Sequence, residues 1–324
     1  MSEDISALPH HTQANARSSG QSSSRAIDVP SAEVARELIA DGECAERLGV
    51  LDRAIRSFTR AARTEHEEIA AEALTRLGDA LRSCAEWEKA LAAACAAQRM
   101  ASAPGRELLL AHAVIAEGNV YMCRGDLREA TVLFERVAGI TTDSRLRALA
   151  LQNLGSILAQ QGKLDAAERA FSESHGHFQR AKYRRGEATA LNNYGRVALD
   201  RGDNALAERV LEQAVAAARE VQHGELTALA SLNLAEAKCR RGELEPAHEL
   251  ASGSLGFFTS SGNPLRAVEC LRLIGAVEEQ SGDDDGATAC YQRALELAQS
   301  VGAALETQTL GECLERMRRR RLTI

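Results

Sequence analysis

Three asparagines recur at one spacing in the middle of the chain. Asn153, Asn193 and Asn233 lie 40 residues apart, and Asn192 precedes the middle one. Asparagine inside a helix costs roughly half a kcal/mol relative to alanine, so its repetition in register indicates a compensating gain. A side-chain amide is both a donor and an acceptor, so this asparagine ladder could bind a peptide backbone. The alternative is that the amides satisfy backbone groups of a neighbouring helix.

Polar residues near the ladder would give such a site selectivity. Arg196 and Arg240 could pair with acidic groups of a ligand, or could be ordinary exposed charges. The residues that the same register places towards a groove are Gln152, Ser156 and Gln160 near the first asparagine, Thr189, Arg196 and Asp200 near the second, and Glu236 and Arg240 near the third.

The sequence holds no pattern typical of catalysis or of a cofactor site. It lacks a P-loop, a dinucleotide-binding glycine fingerprint, HExxH and GxSxG. His175 and His177 would point to different sides of a helix, and the acidic run 283–285 lacks the glycine and glutamate of a calcium loop. The eight cysteines form no CxxC pair, which favours buried thiols in a reducing compartment. We therefore expect no enzyme activity, no cofactor and no metal.

The elements that would position the ladder are pairs of helices. A small residue is followed after seven residues by another, and after five more by alanine. Apolar residues between them recur at helical spacing, and a glycine at the middle position lets the chain reverse. The first small residue would let the second helix pack close to the first, near the alanine. The copies are 42/49/54, 78/85/90, 118/125/130, 155/162/167, 195/202/207, 235/242/247 and 275/282/287.

These copies resemble the tetratricopeptide repeat. The resemblance is carried by LGDALRSCAEWEKAL, LGSILAQQGKLDAAERAF, YGRVALDRGDNALAERVL and LAEAKCRRGELEPAHEL, and it covers roughly residues 31–297. Most copies run to 40 residues and lack the proline that usually closes a unit, as in kinesin light chains and Pins-type adaptors. The resemblance implies an all-α, right-handed superhelical solenoid of about seven hairpins with a C-terminal capping helix. It also implies a concave groove for a protein or peptide, since similar asparagine ladders occur in peptide grooves of such proteins.

Composition divides the chain into three parts. Residues 1–28 are polar and aperiodic, which predicts a disordered tail. Residues 29–303 hold the seven repeats, and residues 304–324 form a capping helix with a basic tail. We interpret the arginines of that tail as favourable charge at a helix C-terminus; the alternative is a site for nucleic acid or anionic lipid.

Charge and hydropathy limit the partners. The net charge of −7 argues against the general phosphate attraction of nucleic-acid binders, and no apolar run resembles a signal peptide or a membrane span. We therefore predict a cytoplasmic scaffold or adaptor that binds a protein or peptide, without nucleic-acid or membrane partners. The alternative is a ligand- or peptide-sensing regulatory protein of a bacterial-type signalling or transcription system. A homo-oligomer is also possible.

Overall fold

The computed structural model describes residues 29–322, with side chains to residue 320. The predicted tail at 1–28 and the side chain of Arg321 therefore lie outside the described residues. Within this range the chain is all α-helical, as the sequence predicts. The helices are α1 (Ala32–Arg47), α2 (Leu51–Ala61), α3 (Glu67–Ser83), α4 (Trp87–Ala101), α5 (Glu107–Arg124), α6 (Leu127–Ile140), α7 (Ser144–Gln160), α8 (Leu164–Arg180), α9 (Arg184–Asp200), α10 (Asn204–Glu220), α11 (Gly224–Arg240), α12 (Leu244–Ser260), α13 (Pro264–Ser281), α14 (Asp284–Ser300) and α15 (Ala304–Leu322).

The helices pack as sequential hairpins, which confirms the predicted architecture of about seven hairpins followed by one more helix. We call the odd-numbered helices up to α13 first helices and the even-numbered ones second helices. The fold separates into two compact units, unit 1 up to Leu154 and unit 2 from Gly155. Each unit has its own buried residues, such as Phe58 and Leu74 in unit 1 and Leu211 in unit 2.

The hairpin turns use the residues that the repeat pattern marks. Gly162 and Gly202 have φ of +71° and +80°, a left-handed conformation that glycine adopts without strain. Ala85 takes the same position with φ of +58° although it has a Cβ. The turn therefore keeps its left-handed backbone conformation even in the repeat where alanine replaces the glycine.

The first small residue of a repeat leaves room for a large side chain sixteen residues later in the second helix. A Cβ on Gly155 would lie 2.9 Å from the Phe171 ring, and one on Gly275 would lie 2.8 Å from the Tyr291 ring. Close approach is thus confirmed, and in these two repeats a side chain other than the repeat's alanine comes nearest. Gly42 pairs in the same way with Phe58, Gly118 with Phe134, and Gly195 with Leu211. Two repeats differ: at Gly78 the carbonyl oxygen of the repeat's own Ala90 is nearest, at 3.4 Å, and the sixth repeat has Ala235 and Ala251 at the two positions.

The last helix packs on the seventh hairpin through one apolar face. Leu310 and Met317 of α15 are buried in the cluster that includes Tyr291. Arg316 adds two hydrogen bonds to Glu279 of α13, at 2.9 and 2.8 Å, and Glu279 also accepts from the Tyr291 hydroxyl. At least one arginine of the basic segment therefore attaches α15 to its neighbours.

Candidate functional site

The first helices of unit 2 line a groove that continues onto α15. Its cavity measures about 560 Å³. We call it the first-helix groove. Its lining residues are Asn192, Asn193 and Arg196 of α9, Leu229, Leu232, Asn233 and Glu236 of α11, Arg266, Glu269, Arg272 and Leu273 of α13, and Leu305, Glu306 and Thr309 of α15.

Two asparagines of the predicted ladder, Asn193 and Asn233, meet in this groove and are joined by hydrogen bonds through Asn192. Asn233 Nδ2 donates to Asn192 Oδ1 at 2.9 Å, and Asn192 Nδ2 donates to Asn193 Oδ1 at 3.3 Å. Asn192 and Asn233 are buried, and Asn193 is half-buried. Among the described residues, the Asn193 amide nitrogen and the Asn233 carbonyl oxygen have no side-chain partner. The chain of amides therefore ends in one open donor and one open acceptor.

The two predicted ligand-binding arginines are engaged within the chain. Arg196 bonds to Glu236 and to Asp200, each at 2.8 Å. Burial opposes the charge of Arg196, but the two carboxylates outweigh it and raise the pKa of the guanidinium. Arg240 also pairs with Glu236 and donates to the Leu199 carbonyl oxygen at 2.6 Å. Much of the positive charge at these positions is therefore balanced within the chain.

The other end of the groove combines apolar side chains with one arginine that forms no ion pair among the described residues. Leu273 is buried and Leu305 is 73% exposed. Arg266 pairs with Glu269 at 2.7 Å, whereas Arg272 has no ion pair among the described residues. Arg272 lies 80 residues after Asn192 and so shares its register. Extending the ladder to the seventh repeat would have found it, but α15 has no repeat register that could point to Leu305.

Asn153, the first member of the ladder, lies in unit 1. It lines a separate cavity of about 650 Å³ between first helices of that unit. Its Nδ2 donates to Asn119 Oδ1 at 2.7 Å. The sequence analysis missed Asn119 because it follows its repeat's small residue instead of preceding it. The predicted binding residues Gln152 and Gln160 line neither this cavity nor the first-helix groove.

Potential metal ligands and thiols were located within the described residues. Residues 29–320 contain no group of three or more His, Cys, Asp or Glu side chains that could hold a metal ion. Burial raises the pKa of the Cys270 and Cys290 thiols to about 12, so both remain protonated near neutral pH. No helix in the described range combines the length and apolar character needed to span a bilayer.

Comparisons with known proteins agree with the repeats. A tetratricopeptide-repeat family model matches residues 145–220 and 186–260. The apo form of RapI has a similar fold, with a TM-score of 0.60 at 12% identity over 83% of this chain and 99% of that one. A Rap protein complexed with competence and sporulation factor gives a TM-score of 0.62 at 12% identity, covering 88% and 85% of the two chains.

BtubC (BKLC) from P. vanneervenii gives a TM-score of 0.56 at 18% identity, covering 74% of this chain and 93% of that one. At such identities these structures establish the fold alone. No curated protein sequence matches. Residues 145–260 therefore match the tetratricopeptide repeat, and the sequential hairpins of the described residues have the fold of tetratricopeptide-repeat structures.

Proposed function

We propose that the first-helix groove binds a segment of a partner protein, and that the chain acts as a scaffold or adaptor without catalysis. The observation that carries the proposal is the open donor of Asn193 together with the open acceptor of Asn233 in one cavity. A peptide unit presents a carbonyl oxygen and an N–H, so it complements these two groups. Asn192 contributes by holding both amides in place.

The far end of the groove supports a choice among peptide segments. Leu273 and Leu305 provide apolar surface, and Arg272 provides a charge that no carboxylate of the described residues balances. A bound segment would therefore place an apolar side chain against the leucines and an acidic one near Arg272. Arg196 would act mainly by fixing α9 against α11 through Glu236.

A peptide library displayed on phage tests this proposal without knowledge of the natural partner. Random dodecapeptides would be selected on the full chain, and dissociation constants of enriched peptides measured by fluorescence anisotropy. We expect Asn193→Ala to weaken binding about tenfold, because one hydrogen bond to the peptide is lost. Gln213→Ala, on an exposed position of α10 outside the groove, is the matched control. Failure to enrich any peptide, or equal binding by the Asn193 variant, would contradict the proposal.

A regulatory version of the function is favoured by the similarity to a Rap protein complexed with competence and sporulation factor. In that version the bound segment is a signal, and its binding changes the affinity for a second partner. Hydrogen exchange measured with and without a selected peptide would separate the versions. Protection confined to the groove supports a scaffold, whereas altered exchange in second helices supports a sensor.

The cellular compartment is part of the proposal. The eight cysteines are all free in the structure, and Cys44, Cys84 and Cys123 are exposed. Exposed free thiols are typical of reducing compartments, which supports a cytoplasmic location. Fractionation of cells that express the native protein would test it.

A further inference from the structure

A second groove of unit 2 lies on its other side, between the second helices α10 and α12, with the N-terminal half of α11 as its floor. Its cavity measures about 560 Å³. We call it the second-helix groove. The residues that carry the argument are Arg219, Gln222, Ser231, Glu249, Gly253 and Phe257.

Ser231 occupies a position where the adjacent repeats have a core leucine. Leu191 and Leu271 lie 40 residues before and after it, and both are buried. Ser231 is only 7% exposed, and its hydroxyl has no hydrogen-bond partner among the described residues. Replacing leucine by serine here removes apolar volume from the core, which opposes folding. The hydroxyl lines the groove, so a molecule within the groove could satisfy it.

At Gly253, in the middle of the groove, α12 presents its backbone without a side chain. The equivalent residues of the repeats before and after are Gln213 and Arg293. A Cβ on Gly253 would meet no atom within 4 Å, so packing within the chain does not require glycine there. Glycine nevertheless weakens a helix interior relative to alanine. What the glycine provides is room for another backbone to approach α12 closely.

The two ends of the groove carry opposite charges. α11 and α12 run antiparallel, since a Cβ on Gly224 would lie 2.8 Å from the Phe257 ring and Ser254 Oγ donates to the Ala228 carbonyl oxygen at 2.9 Å. In this register Arg219 lies at the Phe257 end of the groove, and Glu249 lies near Ser231. Both side chains are exposed, and neither has an ion pair among the described residues. On α11 the two ends are marked by Gly224 and Ser231, which are seven residues apart. At about 1.5 Å per helical residue, the ends are about 10 Å from each other.

A groove with one positive and one negative end is electrostatically complementary to a second copy of itself that is rotated by 180°. With the axis near Gly253, which lies midway in sequence between Glu249 and Phe257, the positive end of one copy faces the negative end of the other. Such pairing places α12 against α12. It also places Gln222 of the second copy near Ser231; Gln222 keeps a left-handed φ of +53° where the following repeats have Gly262 and Gly302.

We propose that the second-helix groove is the contact between two copies of this chain in a two-fold symmetric dimer. Each copy contributes Arg219 to Glu249 of the other, and Gly253 permits the close crossing of the two α12 helices. The surface is separate from the first-helix groove, so the dimer would present two peptide-binding grooves. The inference does not depend on the proposed peptide function.

Charge reversal with mixing tests the symmetry of this contact. The full chain would be studied by sedimentation equilibrium and light scattering across the micromolar range, and we expect a concentration-dependent shift from one to two chain masses. Arg219→Glu alone and Glu249→Arg alone each place like charges together at both contacts, so each should raise the dimer dissociation constant about tenfold or more. An equal mixture of the two variants restores opposite charges at both contacts and should form a heterodimer.

Two further variants separate the contact from the fold. Gly253→Leu should abolish dimerisation while helicity by circular dichroism is unchanged, because a Cβ at this position meets no atom of its own chain within 4 Å. Arg209→Glu, the residue 40 before Glu249, should leave the dimer intact. The proposal is overturned if the wild-type chain remains a monomer at the highest concentration. It is also overturned if Gly253→Leu dimerises normally, or if the mixed charge variants associate no better than each alone.

Discussion

The glycines inside the helices of unit 2 are of two kinds. At Gly195 and Gly275 the missing side chain is required, because Leu211 and Tyr291 fill the space. At Gly253 and Gly256 of α12, nothing lies within 4 Å of where a Cβ would be. The first kind is explained by packing within the hairpin. The second kind weakens the helix and makes no packing contact within the chain that would compensate. We therefore look for its explanation in a contact with another molecule.

The largest expected effect is at a packed glycine. Gly275→Leu forces the Tyr291 ring, only 1% exposed, out of its site and should lower the free energy of unfolding by about 3 kcal/mol. Urea denaturation followed by circular dichroism measures the change. Gly253→Leu is the control and should not lower stability when measured at low protein concentration. Equal losses in both variants would erase the distinction between the two kinds of glycine.

The next prediction concerns the pairing of small and large residues. Gly195→Ala should be destabilising while Leu211 is present, because the methyl group collides with that side chain. In a Leu211→Ala background the collision is removed, and the alanine should instead favour the helix. A double-mutant cycle from denaturant midpoints should therefore give a coupling of about 2 kcal/mol.

The chain itself supplies the matched case for that cycle. Ala235 and Ala251 stand at the same two positions of the following repeat, and both are fully buried. Additive effects of the two substitutions would show that the sixteen-residue pairing does not govern the crossing of the two helices.

The repeat pattern predicts the fold because the residues that define it act locally. Gly162 and Gly202 mark the hairpin turns, and Gly155 marks a close helix contact. The pattern did not identify Phe171 as the side chain that fills the space, since the interpretation considered the invariant alanine and not the variable position four residues later. Pairing a small residue with a large one is nevertheless visible in sequence once the sixteen-residue separation is known.

The candidate site was predictable in part. The 40-residue register predicted that Asn193 and Asn233 share one groove, but not that the amides bond to each other through Asn192. That arrangement depends on rotamers and on the spacing of α9 and α11. Leu305 entered the groove only through the packing of α15, which lies outside the repeat register. The repeat register thus predicts which residues lie in the groove. It does not predict the contacts that depend on how their side chains are oriented.

A smaller effect is expected at Ser231 of the second-helix groove. Ser231→Leu restores the residue type of Leu191 and Leu271 and removes an unpartnered polar group, so it should raise the free energy of unfolding by about 1 kcal/mol. Urea denaturation at low protein concentration measures it. Ser231→Ala should give part of the gain, since it removes the hydroxyl without filling the space. A loss of stability in both variants would mean that the hydroxyl is satisfied within its own chain.

The smallest expected effect is that of Gly253→Ala, and its sign distinguishes the two kinds of glycine. Gly253→Ala should raise the free energy of unfolding by about 0.8 kcal/mol, because alanine is the better helix former and its methyl group meets no neighbour. Gly256→Ala should behave alike, whereas Gly195→Ala should be destabilising. Thermal denaturation of the three variants at one low protein concentration gives the order. If Gly253→Ala were destabilising, the glycine would serve the fold of its own hairpin, and the low surface of α12 would no longer require a second molecule to explain it.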